Sequence, residues 1–268
     1  MLAHFQRGSS EVDWCELNYV HSNSIAEFFN TISNAIFLVI PPFLMYLFRP
    51  YANRIGYGIN VILLLMVVIG LCSAYFHATL SLVGQLLDEL AILWVLMAAF
   101  ALWAPRWLFQ NGPFYGKRCR LAYIMATIGV MGTILGFIYP AANAFALMLL
   151  GIPWAGLLFT EVFRYPSKQV RRLGVFCIIW WFTALACWIN DRIFCDMWKQ
   201  LSFPYLHCGW HIFIFIASYI ACVLSAYIYA ASEFPQYKPS IMYWPGPTYH
   251  FAVPYVAVHE NTDKDIHL

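Results

Sequence analysis

Seven long apolar runs separated by short polar breaks dominate the chain, at about residues 28–48, 56–77, 83–104, 121–139, 142–163, 173–189 and 208–231. A hydrocarbon core about 30 Å thick is crossed by about 20 residues of helix. In lipid the backbone must satisfy its own hydrogen bonds, so runs of this length read as helices. The expected fold is an all-α membrane protein, a seven-transmembrane helix bundle. Three regions follow: an amino-terminal arm at 1–27, a helical membrane domain at 28–231, and a polar tail at 232–268. Pro235, Pro239, Pro245 and Pro247 argue against an eighth long helix in the tail. Residues 1–22 scatter their polar positions and lack a basic-then-apolar order, so they are not expected to be a cleaved signal. Internal repeats are not evident.

Composition agrees with this reading and charge orients it. Hydrophobic residues make up 62%, aromatic residues 19% and charged residues only 10%, which excludes an ordinary soluble domain. Placing the loops alternately on two sides puts Arg49, Arg54, Arg106, Lys117, Arg118, Arg120, Arg164, Lys168, Arg171, Arg172, Lys238 and Lys264 on one face and only Arg7, Arg192 and Lys199 on the other. Twelve against three gives a luminal or extracellular amino terminus and a cytosolic carboxyl terminus. The basic residues are spread over loops without a groove, so the net charge of +2 reports topology and gives no ground for a nucleic-acid partner.

The informative residues are those that lipid should reject. "LCSAYFHATLSLVGQLLDELAILWVL" carries Ser73, His77, Asp88 and Glu89 inside apolar runs, and "PYLHCGWHIFIF" opens the last run with His207 and His211 four apart. An ionisable side chain there costs a few kcal/mol or more and needs a partner. The topology brings His77, His207, His211, Asp88 and Ser73 to one luminal layer, with Ser73 one turn deeper than His77 on the same face. Three imidazoles fit a tetrahedral zinc site with its fourth position open to water, whose pKa would fall to about 7. Asp88 would serve as base and then acid, and Ser73 would donate to an oxyanion. Spacing alone leaves open an all-protein hydrogen-bond network for the histidines and a back-bond to a helix carbonyl for Ser73. Glu89 faces about 100° away from Asp88 and reads as an interfacial charge.

A second group of oxygens precedes the first run in "DWCELNYVHSNSIAEFFNTISN", where Asp13, Glu16, Asn18 and Glu27 could serve calcium. It lacks the spacing of an EF-hand. Acidic residues at a helix start are also favoured by the dipole alone, so both readings stand.

Together, "DWCELNY…IAEFFNTISN", "CSAYFHATLSLVGQLLDEL", "WINDRIFCD" and "HCGWHIF" resemble the alkaline ceramidases over about residues 11–230. The resemblance implies an intramembrane amidase of a hydrolase superfamily that includes the adiponectin receptors, cleaving ceramide to sphingosine and a fatty acid. It implies His77, His207 and His211 as zinc ligands, with Ser73 and Asp88 in the oxyanion and proton-transfer roles. It also implies a stimulating calcium held by Asp13, the Trp14 carbonyl, Glu16, Asn18 and Glu27. The expected partners are ceramide and membrane lipids, and the expected location is the endoplasmic reticulum or Golgi membrane. Of the eight cysteines, Cys15 and Cys195 fall in luminal segments and are expected to form a disulfide, whereas Cys119 lies in a cytosolic loop. The competing classes are a lipid receptor or scaffold with structural zinc, and a transporter. A structural zinc is normally closed by four protein ligands, and a transporter would string its ionisable residues across the membrane.

Overall fold

The computed structural model describes residues 2–110, 114–140, 142–248 and 252–259. After the arm come α1 (Phe28–Ser33), α2 (Ala35–Leu47), α3 (Arg49–Arg54), α4 (Gly58–Thr79), α5 (Leu82–Trp103), α6 (Trp107–Gln110), α7 (Arg118–Ile138), α8 (Ala142–Arg164), α9 (Lys168–Ile193), α10 (Cys195–Gln200) and α11 (Leu206–Glu233). Six spans among the described residues are long and apolar enough to cross a membrane: α1 with α2, α4, α5, α7, α9 and α11. The 23-residue α8 packs against α5, α7, α9 and α11.

The first apolar run is two helices rather than one. At the junction the Asn34 side chain donates to the Asn30 carbonyl at 3.0 Å, competing with the backbone ladder. Further along α2, Pro41 and Pro42 leave the carbonyls four residues earlier without their usual donors. The cut separates a short helix, α1, which carries Asn30, Thr31 and Ser33, from the wholly apolar helix that follows it.

Helix ends decide where the polar residues go. The last carbonyls of a helix have no partner inside it, and at α4 the arm supplies them. Glu27 N donates to His77 O at 3.0 Å, Ala26 N to Ala78 O at 3.1 Å, Gly8 N to Thr79 O at 3.0 Å and Ser10 N to Leu80 O at 2.9 Å. The arm is thereby fastened to the turn that carries His77. Beyond the left-handed Leu80, the Ser81 hydroxyl accepts from Gly84 N at 3.1 Å and starts α5. Gly70 lets α4 press against the first span, because a Cβ there would stand 2.6 Å from the Phe37 Cβ. A disulfide joins Cys15 to Cys195 with Cα atoms 5.3 Å apart, linking the arm to α10 across 180 residues.

The tail departs from an all-helical fold. Strands β1 (Ser240–Trp244) and β2 (Val253–Ala257) pair antiparallel with Ser240 opposite Ala257. Ile241, Val256 and Val258 are buried in the bundle's apolar core. Gln169 Nε2 donates to Ile241 O at 3.1 Å, and the Tyr219 hydroxyl donates to Pro254 O. The expected polar tail is thus partly an apolar hairpin, because the prolines that forbid a helix sit at strand ends and turns where they cost little. The rest of that tail, including Lys264, lies outside the described residues.

Candidate metal centre

Three helix turns meet at the arm end of the bundle. His77 comes from the last turn of α4, and His207 and His211 come from the first turns of α11. Their candidate ligand atoms all lie within 4.8 Å of one another, and all three side chains are buried. Ring centroids are 5.0 Å apart for His77 and His207, 4.9 Å for His77 and His211, and 4.7 Å for His207 and His211. Such a group could hold a metal ion.

Each imidazole is oriented differently. The Glu27 carboxylate, fully buried, contacts His77 Nδ1, and the Ser33 hydroxyl meets His211 Nδ1 at 2.7 Å. The Trp14 ring stacks on His207 with centroids 3.7 Å apart. His77 Nε2 and His207 Nδ1 are buried without any hydrogen-bond partner. A network made only of protein groups would have paired them, since buried polar nitrogens are rarely left alone. His77, with Nδ1 held by a carboxylate and Nε2 left without a partner, has the outer-shell pattern of a metal-ligating histidine.

Ser73 is buried one turn from His77 on α4, and its side chain interacts with the partly buried Asp88 carboxylate on α5. Glu89 points elsewhere: Gln85 Nε2 donates to its Oε1 at 2.9 Å, and Ser10 Oγ donates to Gln85 Oε1 at 2.8 Å. The expected interfacial charge has a local polar chain leading to the arm.

The acidic residues of the arm split into two uses. Glu16 is buried and receives Phe29 N at 2.7 Å and Asn30 N at 2.8 Å, capping the start of α1. Glu27 receives Trp14 N at 2.9 Å and Asn30 Nδ2 at 3.1 Å in addition to its contact with His77. At the exposed edge, Asn18 Nδ2 lies 3.1 Å and 3.2 Å from the two oxygens of Asp13. Burial raises the Glu27 carboxyl above its ordinary range, with nearby Asp13 adding to the rise. Burial likewise raises Glu16, against the lowering by its two backbone donors, and the Glu27 charge adds to it. Carboxylates that penalise one another in this way suit a cation, whose charge would offset both burial and repulsion.

The sequence left Asn30, Ser33 and Asp191 without a role. Asp191 is 1% exposed and accepts from Cys15 N at 3.0 Å and from His207 N at 3.1 Å. An aspartate within the apolar run "ACWINDRIF" was the available signal.

Fold and site together define a polytopic membrane protein with a buried three-imidazole centre. The Ceramidase family profile matches residues 6–257. An alkaline ceramidase of Drosophila melanogaster is 48% identical over 257 residues, covering 95% of this chain and 90% of the fly protein. Alkaline ceramidase 1 of Mus musculus is 39% identical over 264 residues, with 97% and 95% covered. An alkaline ceramidase of Caenorhabditis elegans is 30% identical over 257 residues, with 93% of each chain covered. The chain belongs to the alkaline ceramidase family and is a hydrolase of that class.

Proposed function

We propose that this chain is a zinc-dependent intramembrane amidohydrolase that cleaves ceramide to sphingosine and a free fatty acid, with a calcium ion in the arm stimulating it. The observation that carries the reading is the pair of orphaned imidazole nitrogens, His77 Nε2 and His207 Nδ1, in a three-histidine cluster, with Ser73 one helical turn from His77 and its side chain interacting with Asp88. His77, His207 and His211 would hold the zinc. Neutral imidazoles suit that ion, and three of them leave a position for chemistry. When bound, zinc supplies a Lewis acid and makes water acidic enough to react near neutral pH.

The chain's own groups then account for the proton inventory of amide hydrolysis. Asp88 takes the proton that the attacking water gives up as its oxygen bonds to the carbonyl carbon, and returns it to the amide nitrogen as the carbon–nitrogen bond breaks. Ser73, one turn from His77, donates a hydrogen bond to the carbonyl oxygen as charge gathers there. That hydroxyl interacts with Asp88 in the free site, and in this reading it turns to the carbonyl oxygen once Asp88 has taken up the water's proton. Asp13, the Trp14 carbonyl, Glu16, Asn18 and Glu27 would hold the calcium. Glu27 supports this assignment because it touches both the arm and His77.

In this reading α8 is the seventh spanning helix, residues 1–27 are luminal and 232–268 cytosolic, and the membrane is that of the endoplasmic reticulum or Golgi. The substrate would enter sideways from the bilayer with its amide near the headgroup layer.

The test is fatty-acid release from labelled ceramide by purified protein, comparing wild type with His77→Ala and Asp88→Asn at matched folding and measured zinc content. Asp88→Asn is expected to keep zinc and lose about 10²- to 10⁴-fold in rate, the usual worth of a general acid and base. His77→Ala is expected to lose zinc and activity together. Wild-type protein that holds zinc and calcium yet releases no fatty acid would overturn the ceramidase reading in favour of a receptor with structural zinc.

A further inference from the structure

Helix α11 begins without a cap of its own. Its N-cap residue, Tyr205, makes no side-chain hydrogen bond to the helix, although the first amides of any helix lack partners within it. The missing acceptor comes from another helix. Asp191, two residues before the end of α9, is 1% exposed and places Oδ1 3.1 Å from His207 N. Its other oxygen, Oδ2, lies 3.0 Å from Cys15 N. Hydrogen bonds to an ionised acceptor are about twice as strong as neutral ones, so a single buried carboxylate binds α9, the arm and the start of α11 into one joint.

The two amides it selects matter more than their number. One belongs to His207 itself, so the bond fixes the backbone from which that imidazole hangs. The other belongs to Cys15, next to Trp14, whose ring stacks on the same imidazole at 3.7 Å. Cys15 is also tied to Cys195, and Arg192 donates to Asp13 O at 2.9 Å from the residue beside Asp191. His207 is thus held through both its amide and its ring, and Asp191 is common to both holds.

We propose that Asp191 is a positioning residue for the metal centre, locking His207 against the arm in ligating geometry before an ion arrives. The inference rests on the zinc reading above, and it assigns Asp191 no contact with substrate. Asp191→Asn preserves shape but turns one acceptor into an NH₂ group facing an amide N–H. Loss of an outer-shell partner of this kind costs about 10- to 100-fold in metal affinity.

The experiment measures zinc retention by purified wild type and Asp191→Asn against a competing chelator, with folding checked separately and fatty-acid release measured before and after saturation with zinc. The variant is expected to surrender zinc at about 10- to 100-fold lower chelator concentration, and to regain activity with an unchanged KM when zinc is in excess. A folded variant that retains zinc as tightly as wild type overturns the proposal and leaves the zinc reading intact. Wild-type protein without zinc overturns both. Should the variant fail to fold, hydrogen exchange on zinc-stripped wild type decides the matter. Continued protection of the His207 amide supports a site set by Asp191, whereas exchange that opens as soon as zinc leaves overturns it.

Discussion

Glu27 occupies a demanding position. It is fully buried, accepts from Trp14 N and Asn30 Nδ2, and contacts His77 Nδ1. When ionised, the carboxylate offers two oxygens and no donor, which matches the Trp14 and Asn30 donors, whereas the amide of Gln offers one oxygen and points an NH₂ at another N–H. Glu27→Gln is therefore expected to lower zinc affinity by about 10- to 100-fold, the usual cost of an outer-shell partner. In the proposed mechanism it should also flatten the calcium response, because the same carboxylate would serve the arm's cation. Fatty-acid release across a buffered calcium titration, run at saturating and limiting zinc, checks both effects. A variant with wild-type zinc retention would show that His77 does not depend on Glu27. A flat wild-type titration would remove calcium from the mechanism.

At the scale of elements, the site depends on how closely α4 sits against the first span. An added Cβ at Gly70 would meet the Phe37 Cβ at 2.6 Å and the Asn34 carbonyl oxygen at 3.3 Å. Neither is the free end of a flexible side chain, so the helices must part. Gly70→Ala is expected to destabilise the fold by about 1–3 kcal/mol, seen as a lower thermal midpoint in detergent. An unchanged midpoint would mean that α4 has room to move there. This contact, like the arm's capping of α4, leaves no periodic trace in a sequence, since the partners are far apart along the chain. The apolar runs were legible because lipid imposes length and composition on every span, as were His77, Asp88, His207 and His211, because lipid makes each conspicuous. The break at Asn34 was not legible, since one polar residue in an apolar run is common. The hairpin was hidden because Pro239 and Pro245 mark strand ends and loops equally well. For Glu89 helical spacing gave the direction away from Asp88, but not the Gln85 and Ser10 waiting in it.

For the whole molecule, two independent arguments support the proposed orientation of the bundle. In the proposed seven-span topology the excess of Lys and Arg in alternate loops would place one end in the cytosol. The Cys15–Cys195 disulfide, which persists in an oxidising compartment, lies with the arm, the histidines and Asp191 at the other end. Cys119 supplies the test, because it is exposed beside Lys117, Arg118 and Arg120 at the start of α7, while the other free cysteines lie within the spans. In sealed microsomes with the cytosolic face outward, a membrane-impermeant maleimide is expected to label the wild type and not Cys119→Ser. Labelling that requires permeabilisation would invert the chain. The histidine cluster would then face the cytosol, where thiols are kept reduced and calcium is scarce, and both the disulfide and the proposed calcium site would lose their physical basis. In the proposed function the orientation is therefore a condition on the chemistry: a luminal site would be supplied with calcium and oxidant by its compartment, and the arm that would use both is the part of the chain that packs on the histidine cluster.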